Sequence, residues 1–205
     1  MVAQFRQLLV SAMALASPVM GAVATRQETT DSGFRFTPGP GLPSLASVGL
    51  TVEHLQNKTW VDEQLKAIPT YTPAYPEGNQ HRTLSRRFDN HCNEHTAETE
   101  WLRSCAAFLH ALGTTDCVAG NSPVTFARID MFGYYALVEG IAVEMIGETR
   151  SDCEHAAMAV NWAIDNCVDG CDTEDGRTRC YAGGAAHAWG NDHLIVISKG
   201  DANLH

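Results

Sequence analysis

No cysteine stands before Cys92 in the 205-residue chain. All seven, Cys92, Cys105, Cys117, Cys153, Cys167, Cys171 and Cys180, lie in its second part. Proline follows the opposite rule: of eight, only Pro123 comes after Arg87, and six fall between Pro38 and Pro76. Basic residues are scarce beyond Arg87, where 6 Lys and Arg face 18 Asp and Glu, a net of -12 with His neutral. The first 87 residues carry 8 basic and 6 acidic groups, a net of +2. So acidic a second part is repelled by phosphate backbones and anionic lipids, which excludes nucleic-acid binding and electrostatic docking on membranes. Long apolar runs are also missing after the N-terminus, so no transmembrane anchor is expected. There is no G-x-S-x-G elbow, phosphate loop, dinucleotide fingerprint, internal repeat or heptad array, and no cofactor is expected.

What is present begins with two processing signals. Arg6 supplies a positive end, Leu8 to Ala16 an apolar core that stops at Pro18, and Ala22-Val23-Ala24 a small-x-small cleavage site. These are the parts of a signal peptide over residues 1–24, cut after Ala24. Leu84-Ser85-Arg86-Arg87 is a paired-basic site of the kind cut by processing proteases of the secretory route, and composition changes sharply there. The expected organisation is a signal peptide, 1–24, a proline-rich and mostly irregular pro-segment, 25–87, and a secreted cysteine-containing domain, 88–205. Within the pro-segment, Val61, Leu65 and Ile68 have the spacing of a short helix around Trp60, and Asn57-Lys58-Thr59 is a glycosylation sequon. A basic pro-segment against an acidic product further predicts that the two associate before cleavage.

In a secreted product the seven cysteines read as a disulfide framework. The odd count leaves one unpaired, with about 105 arrangements open. The odd thiol is buried and inert, bridges two chains, or serves as a nucleophile.

Trp101, Cys105, Phe108 and Leu112 repeat at four, three and four, which predicts an amphipathic helix ending at Gly113. Ser151-Asp152-Cys153-Glu154 reads as a capping box opening a second helix, whose Cys153, Ala157, Val160, Ile164 and Cys167 face the core. Between them, residues 124–146 are rich in β-branched and aromatic side chains and predict two or three strands, with Glu139-Gly140 as a turn or bulge. Ala185 to Trp189 and Leu194 to Ser198 flank Gly190-Asn191-Asp192 as a closing hairpin. The acidic stretch from Cys167 to Gly176 reads as a solvated loop clipped by cysteines, without the ligand spacing of a calcium loop. The predicted fold is α+β: a small, largely antiparallel, disulfide-stapled sheet with two helices on one face.

Three constellations bear on chemistry. His91-Cys92-Asn93-Glu94-His95 matches H-x-x-E-H, the zinc-peptidase pattern in which two histidines one helical turn apart hold the metal. Cys153 with His155, or the odd cysteine with His187 or His193, can be drawn as a thiol nucleophile with its base, although no cysteine-protease signature accompanies them. The small residues Ala182 to Ala188 beside Trp189, with His187 and His193, read as tight packing around one aromatic or as a shallow recognition patch. Carboxylates for glycoside hydrolysis abound, but no spacing designates a pair. No catalytic residue is assigned.

Signal peptide, a pro-segment ending in Leu-Ser-Arg-Arg, a helix carrying Cys105, a strand region around Tyr134 to Val143, a helix opened by Ser151-Asp152-Cys153, and Cys180 followed by Tyr181-Ala182-Gly183-Gly184 and Trp189 form one layout. It resembles small secreted fungal proteins of the effector and killer-toxin-like α/β class. The resemblance implies a non-enzymatic extracellular protein that binds an extracellular protein or cell-surface target of a host or competitor. The strong acidity and odd cysteine depart from the usual cationic, fully paired toxins. The alternatives are a small secreted hydrolase, metal-dependent through His91, Glu94 and His95 or otherwise, and a cell-wall or self-associating protein dimerised through the odd cysteine.

Overall fold

The structure is a computed structural model that describes residues 28–29, 33–70, 89–143, 147–174 and 176–201. The signal-peptide cut at Ala24 and the paired arginines Arg86 and Arg87 lie outside the described residues.

The β-branched and aromatic run forms a hairpin, β5 (Val124–Met131) with β6 (Tyr134–Ala142). Its turn is not Glu139-Gly140 but Phe132-Gly133, with φ of 51° and 89°, the left-handed pair that a two-residue hairpin loop uses. Gly140 instead pairs with Val124 beside a bulge in β5 between Thr125 and Ala127, where a Cβ on it would stand 2.2 Å from the Phe126 ring. β6 continues the sheet to β10 (Asn191–Gly200), then β9 (Arg177–Ala188) and β3 (His91–Glu98), every pairing antiparallel. The closing hairpin is β9 and β10, as its turn residues predict. The acidic stretch expected to be a loop is a strand, β8 (Val168–Glu174), folded back on β9 through six paired positions. Alternation of Thr173 and Cys171 with charged neighbours satisfies an extended edge strand as well as it does a loop.

Two helices fill the core beside this sheet. α3 (Thr99–Ala111) buries Leu102, Cys105, Phe108 and Leu109, and α4 (Cys153–Asn166) buries Ala157, Val160 and Ile164. The α4 residues lie on the face its periodicity marks; on α3 Cys105, Phe108 and Leu112 are buried as marked, while Trp101 is only half-buried and Leu102 and Leu109 join the core. α4 opens at Cys153, but the expected capping box does not form. The backbone amides of Cys153 and Glu154 donate instead to the carbonyls of Thr115 and Gly113, at 2.9 and 3.1 Å. The chain between α3 and the short strand β4 (Asp116–Ala119) thus caps α4 with backbone, and β4 pairs with β7 (Thr149–Asp152) as a second, two-stranded sheet.

Residues 33–70 carry more structure than their prolines suggest. β1 (Glu28–Thr29) and β2 (Arg35–Pro38) extend the large sheet to eight strands, with β2 on β5 in the register Phe36 to Ile129. Pro38 simply closes β2, and a 3₁₀ turn (Ala46–Val48) follows Pro43. α1 (Val52–Gln56) is opened by a reciprocal box in which Thr51 Oγ1 accepts from the His54 amide and the Thr51 amide donates to His54 Nδ1. α2 (Lys58–Ala67), the helix expected around Trp60, is capped by the exposed Asn57, whose Oδ1 accepts from the Trp60 amide at 3.2 Å. Phe34, Phe36, Leu45, Leu50, Val52, Leu55, Val61, Leu65 and Ile68 are all buried in the same core as α3 and β5. Phe36 meets Phe108 edge-on at 4.8 Å. Ser104 donates to the Leu55 carbonyl at 2.7 Å, Asp62 pairs with Arg103 at 2.5 Å, and Lys58 pairs with Glu100.

The disulfides are Cys92–Cys167, Cys117–Cys153 and Cys171–Cys180. Cys105 is the odd cysteine, fully buried on α3, and burial pushes its thiol far above the ordinary range. This corrects two expectations. A thiol enclosed in the core neither reaches a second chain nor ionises as a nucleophile, so a dimer bridged through it does not form while the fold is intact.

Candidate functional site

A cleft enclosing about 770 Å³ opens where five parts of the chain meet. β3 runs directly into α3, which sets Ala97, Glu98, Glu100, Trp101 and Ser104 along one wall. The segment before it supplies Phe34 from just before β2, Leu55 and Gln56 from α1, and Lys58 and Val61 from α2. The β5–β6 turn adds Met131, Phe132, Tyr134 and Tyr135. The β8–β9 hairpin contributes Asp172, Glu174, Arg177, Thr178, Arg179 and Tyr181, and Asp201 follows β10. The volume lies within the range of ligand sites, roughly 300–1,000 Å³.

One lip is aromatic. Phe132 is 75 % exposed and Tyr134 43 %. Phe132 is also the single non-glycine residue of positive φ among those described. A left-handed bulky residue is unfavourable for the backbone, and an exposed phenyl ring is unfavourable in water. Neither feature serves the hairpin, which Asn or Gly would turn better. Behind this lip Tyr135 is held in place: the Arg128 guanidinium lies 4.8 Å from its ring centroid and is itself fixed by the Asp130 carboxylate at 2.6–2.9 Å.

The β3–α3 and β8–β9 walls carry the acidic groups Glu98, Glu100, Asp172 and Glu174. Tyr181 of β9 pairs in register with Glu98 of β3 on one side and Gly170 of β8 on the other, so Glu98 and Asp172 flank the same strand. The Tyr181 hydroxyl donates to Asp172 Oδ2 at 3.2 Å, and burial followed by this carboxylate pushes its phenol up. Asp172 Oδ1 is buried and has no hydrogen-bond partner. Burial raises the Glu98 carboxyl above the ordinary range, the Arg179 charge opposes this, and the carboxylates of Glu100 and Asp172 add to it.

A raised carboxyl favours the protonated fold. Its stabilising effect is present below the unfolded value and is lost as pH rises through the folded one. Glu98→Gln is therefore expected to raise the melting temperature at pH 7 by about 1–3 °C, a fraction of the shift that 1 kcal/mol gives at this size. The gain should shrink toward zero near pH 4, as scanning calorimetry at the two pH values will read. An equal gain at both would remove the carboxylate's charge from the explanation.

Other residues marked in the sequence fall elsewhere. His91, Glu94 and His95 lie on β3 in extended backbone and are exposed, and Cys92 between them is in a disulfide. β3 is irregular between Cys92 and Ala97 but holds no helical turn there, whereas the zinc pattern needs its two histidines one helical turn apart. They do not gather into a metal-ligating group among the described residues. Cys153 is bonded to Cys117, so it forms no nucleophile with His155. His187 is half-buried on β9 and His193 exposed on β10, neither beside an ionisable thiol. Ala182, Ala185 and Ala186 are buried, and a Cβ on Gly183 or Gly184 would meet His95 O at 2.5 Å or Cys167 Sγ at 3.0 Å. The small-residue run is therefore packing. Trp189, 41 % exposed, leans edge-on against the His155 ring at 5.0 Å.

No protein-family model matches the chain, and no match appears among curated proteins or solved structures. Fold and site together define an α+β domain stapled by three disulfides, with a cleft lined by aromatic side chains of the β5–β6 turn and by carboxylates of β3–α3 and β8–β9.

Proposed function

We propose that this chain is a secreted, non-enzymatic binding protein of the effector or toxin-like kind, processed at Ala24 and after Arg87, which recognises an extracellular or cell-surface protein through the cleft. The observation that carries the reading is Phe132, an exposed aromatic held in an unfavourable backbone conformation at the cleft's lip. Structural cost retained at an exposed position points to use of the ring. Three disulfides are compatible with an oxidising, extracellular setting, and no helix among the described residues is long and apolar enough to cross a membrane. The exposed Asn57 leaves room for a glycan on its sequon.

The reading is tested by applying fluorescently labelled protein to intact cells. Saturable binding confined to the cell surface is expected, and Phe132→Ser is expected to weaken it at least tenfold, about 1.4 kcal/mol, the scale of an aromatic interface anchor. Phe132 is exposed, so the variant should keep the fold, which near-UV circular dichroism will verify. Unchanged surface binding by the variant, or retention of the native protein inside the producing cell, would sink the proposal.

A further inference from the structure

We infer that the cut after Arg87 does not release the segment before it: residues 33–70 stay docked, and the secreted protein is a noncovalent pair of chains, 25–87 and 88–205, that share one core. This rests on the processing proposed above and adds what the processed product is. A segment that leaves after cleavage has to lie on a surface that tolerates water. Residues 33–70 do not. Phe36, Leu45, Leu55 and Val61 are at most 2 % exposed, in the same cluster as Phe108, Leu109, Phe126 and Ile129. β2 is an inner strand, with β1 on one side and β5 on the other. Its departure would leave β5 as a bare edge beside an uncovered apolar face.

The docking is also sterically specific. Past Pro38 the Gly39 amide donates to the Phe126 carbonyl at 2.9 Å, so the β2–β5 ladder runs on for one more bond. A Cβ on Gly39 would stand 1.9 Å from the Thr125 carbonyl oxygen, so only glycine lets the two backbones approach this closely. From α3, the Ser104 hydroxyl donates to the Leu55 carbonyl of α1 at 2.7 Å in a buried bond. None of these contacts involves residues 71–88, so a cut after Arg87 breaks none of them. With no cysteine before Cys92, nothing covalent joins the two pieces afterwards. The docked segment also completes the cleft, to which it brings Phe34, Leu55, Gln56, Lys58 and Val61. Recognition through the cleft therefore needs both chains, not 88–205 alone.

The experiment is size-exclusion chromatography of the secreted product under native conditions, followed by a denaturing gel without reductant and N-terminal sequencing of the eluted peak. One peak is expected, and it should yield two bands in equal amounts, beginning at Thr25 and Phe88. The pair should hold in about 1 M salt, where charges are screened within roughly 3 Å, and come apart in urea, which weakens apolar contact. In a dilution series Phe36→Ala should weaken the pairing at least a hundredfold, the equivalent of the about 3 kcal/mol that losing a buried ring costs at the least. Gly39→Ala should weaken it as well. Where a variant is not secreted, the elution of the native protein decides alone. Two separate peaks, or a peak that holds 88–205 without 25–87, would overturn the inference and leave the processing in place. Release by salt alone would overturn it too, since charge and not the shared core would then hold the segment. A single band beginning at Thr25 would remove the cut after Arg87, and both would fall.

Discussion

The fragment 88–205, produced without the residues that precede it, is expected to show no cooperative unfolding transition and no near-UV circular dichroism. Removing residues 33–70 strips β2 from β5 and takes nine buried apolar side chains out of the shared core. Phe36 alone is fully buried against Phe108, and truncating one such ring to alanine typically costs about 3–5 kcal/mol. That is already a large share of the roughly 5–15 kcal/mol that holds a domain together. The deletion also uncovers the faces of α3 and β5 that these residues cover, and opens the backbone of β5 to intermolecular pairing. It takes Phe34, Leu55, Gln56, Lys58 and Val61 from the cleft as well. Supplying residues 25–87 as a separate chain should restore the near-UV signal. A fragment that unfolds cooperatively at the same temperature as the full chain would show that the segment is dispensable.

This changes what cleavage after Arg87 would mean. Since no cysteine precedes Cys92, the two pieces would share no disulfide. They would be held by the common core, by β2 on β5, and by the pairs Lys58–Glu100 and Asp62–Arg103. The exposed Lys58–Glu100 pair contributes little, about 0–1 kcal/mol, and the half-buried Asp62–Arg103 pair is a single contact, so the apolar contact dominates. The packed residues 33–70 hold Arg35, Lys58 and Lys66 against Glu53, Asp62 and Glu63, so the charge contrast read from the sequence does not account for this attachment, and apolar burial does. That burial is not legible in the sequence.

The reason lies in short elements. β2 is four residues and α1 five, too few for periodicity to register, and each is fixed by partners far along the chain. Proline marked the segment as irregular, yet Pro38 stands at the end of a strand, where a missing amide costs nothing. The long amphipathic helices α3 and α4, the β5–β6 region and the β9–β10 hairpin were legible because each repeats its pattern over enough residues to exclude other readings. Their ends were not: the cap of α4 comes from Thr115 and Gly113, more than thirty residues upstream.

The cleft was harder still. Its residues come from the entry to β2, α1, α2, the β3–α3 junction, the β5–β6 turn, the β8–β9 hairpin and the end of β10, and no local spacing joins them. Asp172 and Tyr181 are nine positions apart and meet only because β8 doubles back on β9, a strand that acidity disguised as a loop. The one available signal was Phe132-Gly133, a bulky aromatic before glycine between two strand patterns. The histidines drew attention instead, because a motif is visible in one dimension and a cleft is not.

Opening the three disulfides should separate stability from recognition. Cys117–Cys153 is buried and ties β4 and β7 to the start of α4, closing a loop of 36 residues, and Cys92–Cys167 ties β3 to the end of α4 across 75. On chain-entropy grounds each contributes about 4 kcal/mol, so Cys117→Ala with Cys153→Ala, or Cys92→Ala with Cys167→Ala, is expected to lower the melting temperature by roughly 10 °C or prevent secretion. Cys171–Cys180 spans only nine residues between strands already paired in register, so its entropic contribution is smaller, about 2–3 kcal/mol or less. Its neighbours are Asp172 on one strand and Arg179 and Tyr181 on the other. Cys171→Ala with Cys180→Ala should therefore produce the mildest thermal loss and the largest loss of cleft binding among the folded variants. Calorimetry on each pair, together with binding of the labelled variants to intact cells, reads both quantities. A variant at Cys171 and Cys180 that melts lower than the other two, or binds as the native protein does, would show that the hairpin staple serves the core and not the cleft.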